Sequence, residues 1–342
     1  MTLPRKPLVA RARLPLLWSA IAFTAAMALT LLIWVPMTRQ ARVDGEAEFL
    51  GRTHEVTSAI AARITAYEQV LHAGAALFSV DPEVHREDWR RFFEALDVQA
   101  RYPGFQGLGY VEYVPGGHLP AFLQRVRTLG LPDFSVMPDG ERFDYAPITF
   151  MEPLSGHNAA DIGMDLLVEP ACRAAMERAR DQSKAMMSGR LRGMPGMSAL
   201  SVARFLMVLP IYRGAQPPQA ITERRERLAG FVMASLRLDQ LLPGILGDGP
   251  LGLDFAVFED AADAEPMYRD TRLGRTLPDG FEPAFVADQI LQVAGQQWRV
   301  HFSSADAEHQ IVGARRAQLL LQGGIVTAAL LALLVWLLGT TR

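Results

Sequence analysis

The residue types that could do chemistry are scattered along this chain rather than gathered. Seven histidines, at 54, 72, 85, 118, 157, 301 and 309, show no HExxH and no closely paired metal-ligand spacing. No GxSxG elbow occurs. Gly104, Gly107 and Gly109 form GxxGxG inside a predicted strand, not a phosphate-cradling loop before a helix; that placement marks close packing or a bulge. Asp161 and Asp165 stand at i, i+4, a spacing that suits caps and solvated surface equally well. Cys172 is the only cysteine, which excludes an intrachain disulfide framework and a cysteine-rich metal site. The expectation is a chain with no catalytic set, no metal and no cofactor.

The residues offer more to a bound molecule. In FDYAPITFMEP (143–153), alternation puts Tyr145, Pro147, Thr149 and Met151 on one face of a strand. Phe143, Ala146, Ile148, Phe150 and Glu152 fall on the other, and the period leaves open which face lines a cleft and which is core. Asn158, Asp165 and Ser188 are polar groups flanking this region, and ligand sites set a few such groups around an apolar cleft. Tyr145, Phe150, Glu152 and Ser188 are the candidate ligand-binding residues.

The elements that must position them read as α+β. Short aromatic and β-branched stretches bounded by Gly or Pro predict strands at 104–114, 134–138, 143–153, 186–193 and 203–213. Helices are predicted at 119–130 and at 169–183, the latter with Pro170 in its first turn. A polar, Pro-rich connection (213–227) leads to a second, smaller strand set at 228–238, 253–260, 285–295 and 296–304, with a hairpin turn at Ala294-Gly295-Gln296. Ahead of all these, Val43, Leu50, Thr57, Ile64, Leu71 and Phe78 repeat every seven residues and define a helix with one apolar seam, ended by Asp81-Pro82. About 40 residues at 1.5 Å rise would reach roughly 60 Å. The seam suits a stalk pairing with a second copy or a helix packed on its own domain.

The two ends set the class. Leu14 to Met37 and Ala317 to Thr341 carry no charge, and each exceeds the roughly 20 residues needed to cross a bilayer. Trp18, Trp34 and Trp336 lie near their ends, at headgroup depth. The first run is longer than the apolar stretch of a cleaved signal peptide, about 7–15 residues, which favours a retained anchor. Arg5, Lys6, Arg11 and Arg13 precede it without an acid, so the N-terminus is expected in the cytoplasm and residues from about 38 to 316 outside it. A net charge of -3 with no basic block argues against nucleic acid as a partner. Gly324, Ala328 and Ala332, at i, i+4, i+8, let two helices approach closely in lipid and give mild support to a dimer.

Several stretches together resemble the CHASE domain, the extracytoplasmic sensor of bacterial histidine kinases and cyclases and of plant cytokinin receptors. They are PGFQGLGYVEYVP (103–115), FDYAPITFMEPLSGHNAADIGMDL (143–166), EPACRAAMERARD (169–181), FLMVLPIYR (205–213) and RRERLAGFVMASLRLDQLL (224–242). The similarity runs from about Phe78 to Leu242. It implies a cytoplasmic N-terminus (1–13), a first span (14–37), a dimerising stalk helix (38–81), a distal PAS-like ligand-binding lobe with the start of a proximal one (82–242), the remainder of that lobe with a return helix (243–314), and a second span (317–341). In plant members an aspartate pairs with the purine ring of cytokinin; the matching position here is Pro153, after Glu152, and a hydroxyl of the family matches Ser188. The implied function is non-enzymatic: a homodimeric inner-membrane receptor, its main domain periplasmic, binding a small ligand whose identity is open, adenine derivatives being one candidate class. Its signal would pass to a histidine kinase or cyclase output, in a longer chain or in a partner. The rival expectation is an envelope scaffold using the same fold for protein contacts.

Overall fold

The computed structural model describes residues 13–81, 83–154, 156–191, 204–214, 216–246, 253–259, 265–270, 283–304 and 312–341. Its first element is a single helix, α1 (Arg13–Val80), of 68 residues with Pro36 inside it. The first apolar run and the predicted stalk are therefore one helix, about 100 Å long at 1.5 Å per residue. The rest of the chain forms α2 (Arg86–Leu96), α3 (Val98–Arg101), β1 (Phe105–Glu112), β2 (Val114–Pro115), α4 (Leu119–Thr128), β3 (Asp144–Tyr145), β4 (Ile148–Glu152) and α5 (His157–Ala160). There follow α6 (Pro170–Gln182), β5 (Met186–Met187), β6 (Arg204–Tyr212), α7 (Ile221–Glu226), β7 (Leu228–Arg237), α8 (Leu238–Leu246), β8 (Leu253–Phe258), β9 (Tyr268–Arg269), β10 (Val286–Val293), β11 (Gln296–Ser304) and α9 (Val312–Thr340).

Five strands make the larger sheet in the order β4-β1-β7-β6-β5, and four make a second sheet in the order β10-β11-β8-β9. The placement of β7 corrects the expectation that Leu228–Leu238 opens the smaller strand set. It lies at the centre of the larger sheet, antiparallel to β1 and β6, with seven consecutive buried residues from Gly230 to Leu236. A strand covered on both faces is apolar throughout, and its sequence does not say which sheet it enters.

One face of the larger sheet packs on α6 and the turn before it. Val111, Ile148, Met151, Leu206, Val208 and Met233 meet Leu166, Cys172, Ala175, Met176 and Ala179 there. Helix α1 covers the other face: Phe78 stacks on Tyr110 at 4.3 Å, and a Cβ at Gly74 would sit 3.2 Å from Val232. The amphipathic α2, not foreseen from the sequence, adds Trp89, whose Nε1 donates to the Leu108 carbonyl at 3.2 Å.

Two compact units divide the chain, one of Met1–Arg52, Asp279–Val286 and Ser303–Arg342, the other of Thr53–Pro278 and Ala287–Phe302. Within the second unit the stalk seam is covered by the chain's own domain. Ile60, Ile64, Tyr67 and Leu71 are all at most 2% exposed, and the Tyr67 hydroxyl donates to the Pro103 carbonyl. Gln289 of β10 bridges Thr53 and Thr57 on the same helix at 2.8 and 2.9 Å. Within the first unit Val43 and Leu50 are exposed, and Phe49 stacks on Phe285 at 5.8 Å.

The first unit also holds the apolar start of α1 and the whole of α9. Pro15–Val80 and Ala317–Thr340 contain windows of mean hydropathy 2.1 and 2.2, each only 6% buried, so long and so apolar that each can cross a membrane. They touch: a Cβ at Gly324 would overlap Thr30, and one at Gly339 would lie 2.7 Å from Pro15. Ala328 is fully buried. The small-residue face of α9 thus packs on α1 of the same chain.

Candidate functional site

Residues 143–153 do not form one continuous strand. Pro147 has no N–H, so it cannot donate to a ladder. The segment splits into β3, paired with β2, and β4, paired with β1. Along β4 the strict alternation also fails. Tyr110 faces Phe150 while Val111 faces Ile148, so Thr149 is an extra residue, a bulge that puts Ile148 and Met151 on the same, α6-facing side. The predicted strand at 134–138 reduces to one bridge, Met137 to Met164, since Pro138 cannot extend it. Of the strand predicted at 186–193 only Met186–Met187 is regular strand, and the Ser188 and Leu191 amides still donate to the Leu206 and Arg204 carbonyls of β6. Residues 192–203 lie outside the described ones.

Tyr145 is buried in a satellite core with Val114, Phe122, Val126, Phe134 and Val136. Its hydroxyl donates to the Gly140 carbonyl and accepts from the Arg142 amide, both at 2.9 Å. The Arg142 guanidinium lies 4.7 Å over the ring and donates through Nε to Asp165 Oδ2 at 3.0 Å. Fully buried Asp165 also accepts from the amides of Ala146 (2.8 Å) and Leu167 (3.1 Å). A buried carboxylate needs such partners to offset its lost hydration. Tyr145 and Asp165 are therefore brought together, through Arg142, in a cluster whose polar atoms are already paired.

Phe150 and Glu152 lie together on β4, on the α1-facing side. The Phe150 ring is 5.6 Å from Tyr110, which stacks in turn on Phe78. Burial pushes the Tyr110 hydroxyl far above its ordinary range, so it stays neutral. Glu152 is 5% exposed and accepts from the Leu154 amide at 3.1 Å. Asn158 fastens the following loop by donating to the carbonyls of Gln106 and Pro153, each at 3.0 Å.

Ser188 is buried at the opposite edge of the sheet, beyond β5. Its hydroxyl donates to the Gly189 carbonyl at 2.8 Å and accepts from the Leu206 amide at 3.0 Å. The four candidate residues thus occupy three places: the satellite core, the β4 edge and the β5 edge.

Sequence reasoning passed over the groups around Ser188, where the two sheets meet. The Met187 amide donates to the Ala294 carbonyl (2.7 Å), and Gln296 Nε2 donates to the Met187 carbonyl (2.8 Å). Glu259 accepts from the Arg190 amide at 2.7 Å, and Phe205 meets Trp298 at 5.6 Å. Ala294 and Gly295 take φ of 43° and 77° in the β10–β11 turn, and only glycine enters that region at no cost. The predicted turn was the one signal of this junction.

Burial in the α6 core, with Glu169 second, pushes the Cys172 thiol up to about 12, so it is not a reactive thiolate. Among the described residues no three His, Cys, Asp or Glu side chains gather as metal ligands. A sequence model of the CHASE domain family matches residues 82–268. No curated protein matches the chain.

Proposed function

The chain belongs to the CHASE domain family, and on that premise we propose that it is the sensor module of a membrane receptor. It binds a small ligand outside the cytoplasm and passes the event across the bilayer through α1 and α9. The single observation that carries the reading is the aromatic stack Phe150–Tyr110–Phe78, which joins the strand bearing two candidate ligand residues to the end of a helix that begins in the apolar run. Movement at β4 would be felt by that helix directly. A ligand shifts such an arrangement only by its differential affinity for two positions of the stack.

Phe150 and Glu152 are the pair proposed to contact the ligand. Tyr145 and Ser188, whose hydroxyls are engaged, shape the lobe around it. Both sheets share one strand order, the first strand flanked by the second and the last, which supports two PAS-like lobes. The basic residues before α1 support a cytoplasmic N-terminus and an inner-membrane protein whose main domain is periplasmic. Exposed Val43 and Leu50 support a homodimer through the base of the stalk, and a histidine kinase or cyclase module, in a longer chain or a partner, would receive the signal.

The test is a thermal-shift screen of the full chain in lipid nanodiscs against adenine derivatives, organic acids and peptides. A ligand at 100 times its dissociation constant adds about 2.7 kcal/mol of stability. A saturable shift that Phe150→Ala and Glu152→Gln weaken is expected. A stable protein with no shift across the library, or a shift indifferent to both substitutions, would sink this reading of the site.

A further inference from the structure

Where α6 meets the junction of the two sheets there is a cleft of about 520 Å³, within the roughly 300–1,000 Å³ usual for small-molecule sites. Its lining runs along the outer face of α6 from Ala171 to Gln182 and is completed by Gly189 and Gln296. It does not include Tyr145, Phe150, Glu152 or Ser188.

The charged groups there are unequally occupied. Asp181 is fully engaged: Arg225 donates to it at 2.6 and 3.1 Å and Arg180 at 2.7 Å, and these arginines hold its carboxyl well below the usual carboxylate range. Arg178 is under-used. Its two Nη groups reach the carbonyls of Gly295 and Met187 only at 3.5 and 3.4 Å, and its Nε has no acceptor among the described residues. The Nε is buried, but the two weakly held Nη groups match a carboxylate, which takes such N–H groups at shorter range. Glu177, next along the helix, is exposed at the rim and bears the opposite charge.

We propose that this cleft binds a small zwitterion of the α-amino-acid class, its carboxylate on Arg178 and its ammonium on Glu177. The ligand would take up the group that spans Met187 of β5 and Gly295 of the β10–β11 turn, so occupancy would change how firmly the two sheets are latched. The site is separate from the β4 edge and does not depend on it.

The experiment is thermal shift of the dialysed full chain in nanodiscs with each of the common amino acids, and with acetate and ethylammonium as single-charge controls. At least one amino acid should give a saturable shift, with each control about tenfold weaker or more. Arg178→Ala and Ala174→Trp should each weaken it about tenfold or more, and Phe150→Ala should leave it unchanged. Ala174 is exposed and makes none of the latch contacts, so Ala174→Trp fills the cleft in a folded protein even if Arg178→Ala loosens the junction. No shift with any amino acid, equal shifts with the controls, or a shift that survives Ala174→Trp would overturn the assignment.

Discussion

Asp165 accepts three hydrogen bonds with no exposed side-chain surface, one of them from Arg142, which is itself only 22% exposed. Replacing it by alanine strands two amides and a guanidinium together. Asp165→Ala should therefore lower stability by about 3–5 kcal/mol, read as a shift of the denaturation midpoint, and Asp165→Asn by less. Asp181 acts at the surface and its effect depends on pH. Its carboxyl is depressed in the folded protein by Arg225 first, then Arg180, so its contribution is complete above the unfolded value of about 3.9 and is lost as pH falls below it. Melting temperatures of wild type and Asp181→Asn should differ at neutral pH and converge towards pH 2. A gap that stays constant through the acid range would contradict that linkage. Ser188 shows the limit of reading single residues. Its type fits a ligand contact, but its hydroxyl is taken by the Leu206 amide, an acceptor role set by a strand pairing that no local pattern announces.

Elements with a strong period were legible. The seam of α1, its end before Pro82, helices α4 and α6, strand β6 and the β10–β11 hairpin stand close to where periodicity and punctuation put them. What failed depended on partners. β7 was assigned to the wrong sheet because a fully buried strand carries no mark of its neighbours. The split at Pro147 follows from the missing N–H, but the bulge at Thr149 becomes visible only against β1. The seam was ambiguous for the same reason: a helix offers one apolar stripe whether a domain or a second copy covers it. Its two parts should now behave differently. Ile64→Ala should cost about 2–5 kcal/mol, since Ile64 is 2% exposed inside the domain. Val43→Ala with Leu50→Ala should leave the melting temperature nearly unchanged and, on the proposed homodimer, weaken self-association in sedimentation. A large loss of stability from the exposed pair would place the base of the stalk in a contact within one chain.

Over the whole molecule, the two apolar helices meet at Thr30 with Gly324 and at Pro15 with Gly339. Oxidation of a Thr30→Cys, Gly324→Cys double variant in membranes should give a product at monomer mass on a reducing-agent-free gel. A product at twice that mass would return the small-residue face of α9 to a role between copies. The position of β7 has a consequence of another kind, for biogenesis. β1 and its central neighbour are separated by roughly 115 residues of chain. At about 5–20 residues per second, β1 leaves the ribosome some 6–23 s before the strand it must pair with. By then α1, α2, β4 and α6 have been made and can cover its faces and its other edge, but the edge that β7 takes stays unpaired. The open edge of β1 is a template for wrong pairing throughout that interval, which closes when Arg237 has emerged.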